Sequence, residues 1–236
     1  MNLASCEKII LQNIGYDRYS ALSVDTNAEK IEDFANIHTC VNLAREEIKL
    51  NTNIPALNKL SASITTIANQ ATYSLPSDFD IPVKFFYESA SSAWELEQIY
   101  VTNIPESRII HTTEIGSPLK YLILDNVAGI IQVLIAPTPS TSGEIFAPVY
   151  KPILTTLTAP TDEDIIMKKY PKTVIDFATA FAFQIIKKDE KMHDKYYALG
   201  MADSARIDLR ETKADSSYKE LPPASIRNAR SARLSK

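Results

Sequence analysis

A chain of 236 residues, 45% hydrophobic and 23% charged, can bury a core as one large domain or as two small ones. Its formal net charge of −4 excludes a molecule that holds nucleic acid by bulk charge. Two cysteines, Cys6 and Cys40, are too few for a disulfide framework and suggest maturation in a reducing compartment.

The opening MNLASCEKII has no basic region followed by a long apolar run, so no signal peptide is expected. Residues 3–14 read as a short helix ended by Gly15. Thr26 and Glu29 then form a capping box, in which each side chain satisfies a free backbone N–H of the other. Ile31, Phe34, Ile37, Val41, Ala44 and Ile48 recur every three to four residues behind it and predict a helix over 26–50, broken by Asn51–Pro55.

From about residue 60 to 155 the pattern becomes that of strands. Ala71, Tyr73 and Leu75 alternate with polar residues, as do Trp94 and Leu96, which is the period of a half-buried strand. Val83–Tyr87, Tyr121–Leu124 and Ile130–Ile135 are apolar runs of strand length, and Asp125–Gly129 reads as the hairpin turn between the last two. Eleven of the thirteen prolines fall between 55 and 171, which suits short strands joined into a β-sandwich or small barrel.

Helix returns near 170, with Pro171 at its first position. Val174, Ala178, Phe181 and Ile185 make one stripe, and Phe177, Ala182 and Ile186 widen it, so burial on most sides is expected. The run Val174–Ile186 is shorter than the roughly 20 apolar residues that span a bilayer, and no membrane segment is expected. A last helix over about 190–213 is amphipathic through Met192, Tyr196, Leu199, Ala202 and Leu209. The order of helices, strands and helices predicts an α+β fold: a helical bundle domain from 1–55 and 165–213, with an antiparallel β-sandwich or barrel inserted at 56–164. A basic arm, 214–236, follows.

Chemistry finds little footing. The glycines at 15, 116, 129, 143 and 200 are too scattered for a phosphate-binding loop. His38, His111 and His193 stand alone, and no histidine or cysteine has a second at ligand spacing, so neither metal nor cofactor is expected. Asp162-Glu163-Asp164 lies ahead of a helix, where its dipole favours carboxylates. Glu95 and Glu97 share a strand face beside Trp94. Either they are a solvated face, or they are the carboxylate pair of a glycoside hydrolase with Trp94 as a sugar platform.

Three segments resemble the head-to-tail adaptors of tailed phages, including the tail tubular protein A-like group. The first is ITTIANQATYSLPSDFD, residues 64–80, with Tyr73, Leu75, Pro76, Asp78 and Phe79 as an aromatic-x-Leu-Pro-x-Asp-Phe run. The second runs from Gly116-Ser117-Pro118 through 130–152, with the Pro137-Thr138-Pro139 turn and the aromatics Phe146 and Tyr150. The third is 157–183, where Asp162 precedes a tyrosine-containing helix entry. The resemblance implies a non-enzymatic virion protein at the head–tail junction, usually a ring of twelve copies, between the portal protein above and the tail tube or nozzle below. DNA would pass through the ring without sequence-specific contact. A minor tail or capsid-decorating protein is the neighbouring alternative, and a tail-associated peptidoglycan hydrolase is the alternative of another class.

The tail carries the one candidate binding set. Arg227, Arg230, Arg233 and Lys236 occur in 222–236 without an acid, which leaves the remainder of the chain at about −8. Ser225 can cap a short helix after Pro223, placing the three arginines along one side. Three readings stand: a disordered terminus, a docking arm for the portal or the next subunit, or a contact to DNA in the channel.

Overall fold

Asn2 starts the first helix: its side-chain oxygen accepts the backbone N–H of Ser5 at 3.1 Å, satisfying a donor of the first turn. The computed structural model describes residues 1–16, 28–61, 63–99, 114–127 and 130–219. In it this helix, α1, spans Leu3–Asn13, and Gly15 behind it takes the positive φ (+92°) that glycine tolerates. Helix α2 spans Ala28–Asn51, with Ile37, Val41, Ala44 and Ile48 of the expected stripe fully buried. Thr26, the expected cap, lies outside the described residues.

Helices α3 (Ile165–Lys169), α4 (Pro171–Ala182) and α5 (Glu190–Lys219) follow the strands, and Pro171 stands in the first turn of α4 as expected. Helix α4 is the centre of this part: Val174, Phe177, Ala178, Ala180 and Ala182 are fully buried, and α1, α2 and α5 pack against it.

The helical region departs from its sequence pattern in three places. A π-helical turn, Phe183–Lys187, follows α4. Its wider turn breaks the 3.6-residue register, so Phe183 is buried while Ile185, expected in the stripe, is 38% exposed. Lys188 then adopts the left-handed conformation, and the Asp189 carboxylate accepts the N–H of Met192 to start α5. Among the α5 residues whose burial is described, Gly200, Ser204 and Ile207 are buried, whereas Leu199 and Leu209 of the expected face are exposed. The face is turned because only glycine allows the helix to approach Phe177 so closely. Helix α5 also runs on to Lys219, since neither proline nor glycine occurs between Gly200 and Pro222.

Among the described residues, eleven strands lie between: β1 (Lys59–Leu60), β2 (Ile64–Thr65), β3 (Thr72–Ser74), β4 (Phe79–Glu88), β5 (Ala93–Glu95), β6 (Glu97–Gln98), β7 (Ile115–Gly116), β8 (Lys120–Val127), β9 (Ile130–Ala136), β10 (Thr138–Pro139) and β11 (Ile145–Pro152). The first sheet has the order β1-β11-β4-β5, with β2 also on β11, and the second has the order β3-β9-β8-β6. Strands β8 and β9 pair antiparallel as expected, with Ala128 and Gly129 of their turn outside the described residues. Not every pair is antiparallel. Strands β6 and β8 are parallel, as are β7 and β10, because β6 continues a chain that has just left the first sheet and enters the second in the direction of β8. Among the described residues the strands form separate sheets that do not close into a barrel.

One aromatic core takes residues from both large sheets. Phe85, Tyr87, Phe146 and Tyr150 come from β4 and β11, and Tyr73, Tyr121, Val133 and Ile135 from β3, β8 and β9. The ring of Phe85 meets that of Tyr121 edge-on at 4.1 Å between centroids. Leu122 and Leu134 bury the other face of β8 and β9 in a small second cluster, which explains why these strands read as continuous apolar runs. The architecture is mixed α+β, and the chain divides into two compact units: Met1–Ala56 with Leu154–Lys236, and Leu57–Ile153.

Candidate functional site

The segment Tyr73–Phe79 gathers more partners than its seven residues suggest. The Tyr73 hydroxyl donates to the Gln70 carbonyl at 2.8 Å and accepts the Ile67 N–H at 3.1 Å, which folds the approach to β3 back on itself. Leu75 donates its N–H to the Ile131 carbonyl, and Phe79 closes a turn onto the Pro76 carbonyl. The Asp78 carboxylate accepts Lys59 Nζ at 2.6 Å and the Tyr150 hydroxyl at 2.7 Å, so it joins β1 and β11. Lys59, and after it Tyr150, holds the Asp78 carboxyl below the usual carboxylate range. Phe79 itself is buried against Phe85 and Tyr150. Beside this segment is a groove of about 380 Å³ lined by Leu75, Pro76, Phe79, Ile130, Ile131 and Ile153 with two serines, and none of these lining residues titrates. The first of the resembling segments thus acts as a structural clamp that ties β1, β3, β4, β9 and β11 together.

Glu95 and Glu97 lie in different sheets. The strand expected to carry both divides at Leu96, whose side chain is buried and whose N–H binds the Phe85 carbonyl. Glu95 stays in the first sheet opposite Phe86 and bridges to Lys84 at 2.8 Å, while Glu97 enters the second sheet opposite Lys120. Both side chains are about half exposed or more (48% and 73%). Trp94 is no open platform, for its ring lies against Tyr87 and its indole N–H donates to the Pro118 carbonyl at 2.7 Å.

The acidic triplet is explained by local contacts. Asp162 accepts the N–H groups of Thr158 and Ala159, Glu163 bridges to Lys168, and Asp164 caps α3 by accepting the Met167 N–H at 2.9 Å. Asp164 also receives Arg45 of α2, which is almost fully buried and reaches Asn42 and the Thr155 carbonyl as well. Asn42 both donates to the Leu157 carbonyl and accepts its N–H. Arg45 went unremarked in the sequence, although a charged residue one turn after Val41 in an apolar stripe is itself a signal that a buried partner is needed.

The remaining candidates are dispersed. His38 lies 2.6 Å from Glu7, His193 lies beside Asp194, and His111 is outside the described residues. Cys6 and Cys40 are buried free thiols, each pushed up to about 12 by burial. Among the described residues no group of three His, Cys, Asp or Glu side chains could hold a metal, and no helix is long and apolar enough to cross a membrane. Arg227, Arg230, Arg233 and Lys236 lie outside the described residues.

With this geometry in place, the comparison that decides the family is a match of residues 17–227 to the model described as SU10 adaptor protein, 211 of 236 residues. The chain belongs to the SU10 adaptor family. It is thus a structural bacteriophage protein of the head–tail junction in the virion, interacting with head and tail components. The Tyr73–Phe79 clamp, the divided strand at Leu96 and the Arg45 contacts all fall inside the matched residues. The match ends at Arg227, leaving Arg230, Arg233 and Lys236 beyond it. No curated protein matches the chain.

Proposed function

We propose that this adaptor assembles as a ring, twelve copies in number, which joins the portal protein to the tail tube or nozzle and continues the DNA channel between them. The observation that carries the reading is the family match, which takes in both compact units. A net charge of −4 supports a channel that DNA passes without being gripped or read. Ring closure needs side-to-side contacts of two different surfaces. The isolated protein is a monomer or small oligomer in this account, and the portal is the template on which the ring forms. A low-resolution reconstruction of the virion neck, with antibody against the chain, tests the address. Ring density and label at the neck are expected, and label on the capsid shell or the tail tip would overturn the reading. Light scattering of the purified protein tests the templating separately, since a large stable ring without portal contradicts that part alone.

In the same reading, residues 1–55 and 165–213 are a helical bundle, 56–164 an inserted β-domain whose strands end at Pro152, and 214–236 a basic arm. Two sheets sharing one aromatic core support a sandwich for the β-domain. Because α5 continues to Lys219, the arm proper begins no earlier than residue 220. Arg227, Arg230, Arg233 and Lys236 dock this arm on carboxylates of the portal or of the next subunit, for which the two-pronged guanidinium is suited.

A further inference from the structure

We draw no further inference here: the strongest candidate, the outward face of the first sheet, where Leu60 is 65% exposed and Phe86, Ile145 and Val149 lie half-buried beside it, is an unpartnered apolar surface, and nothing in the structure shows what covers it.

Discussion

Replacing Gly200 by alanine measures how tightly α4 and α5 are locked. A Cβ at this position would stand 2.8 Å from Cδ1 and Cε1 of Phe177 and 2.9 Å from its Cγ. Non-bonded carbons rest about 3.5–4.0 Å apart, so three ring atoms must withdraw together by most of an ångström. The ring is fully buried and already meets Tyr197 edge-on at 5.3 Å, so it has no free direction. Overpacking costs about 1–3 kcal/mol, and a pinned ring touched along one edge belongs at the upper end. Alanine returns about 1 kcal/mol of helix propensity. The net loss is about 2 kcal/mol, or a fall in Tm of about 4–8 °C. Far-UV ellipticity during urea and thermal unfolding follows the helices, while fluorescence of Trp94, the single tryptophan, follows the β-unit. The loss is expected in the first signal, and Phe177→Leu in the Gly200→Ala background should recover part of it. An unchanged or higher midpoint for Gly200→Ala would refute the reasoning, because helix propensity would then outweigh the contact.

Four further outcomes are expected. Arg45→Met strands the Asp164 carboxylate and the Thr155 carbonyl and should cost about 2–4 kcal/mol in urea unfolding; a loss below about 1 kcal/mol would show that the contacts are dispensable. Asp78, held low by Lys59 and Tyr150, contributes stability that is present above its unfolded value of about 3.9 and is lost as pH falls through the folded one. Asp78→Asn should therefore flatten the acid limb of the Trp94 unfolding profile, and identical limbs would contradict this. Glu95→Gln with Glu97→Gln should leave infectivity within a small factor of wild type, whereas an acid–base pair would lose about 10²–10⁴-fold per residue. Deletion of 222–236 should abolish attachment to portal-bearing heads, and equal attachment of the truncated and intact proteins counts against the docking arm. If the arm instead binds duplex DNA through its four cations, its log–log salt slope should approach about −3 to −4.

Local periodicity carried the parts of the fold that depend on one segment at a time. Ile37, Val41, Ala44 and Ile48 face inward because the stripe can be satisfied by any apolar neighbour, and Pro171 marks a helix start whatever lies around it. Where the answer depended on a distant partner, the pattern was silent or misleading. Nothing near Leu199 shows that Phe177 will draw Gly200 inward and turn the whole face of α5. Glu95 and Glu97 alternate as one strand should, yet the Leu96 N–H is claimed by Phe85 and the chain changes sheets. The resembling residues Tyr73, Asp78 and Phe79 are visible as a motif, but the work of Asp78 lies in Lys59 and Tyr150, on other strands and remote in sequence.

Lys59 stands directly opposite Tyr150 in an antiparallel pair, so the first and last strands of the β-unit are neighbours with Cα atoms about 4.5–5.5 Å apart. The chain enters and leaves this unit through what amounts to one doorway. An insert attached in that way behaves as a cassette: it can lengthen, shrink or be exchanged at the doorway while the helical segments on either side keep their own spacing.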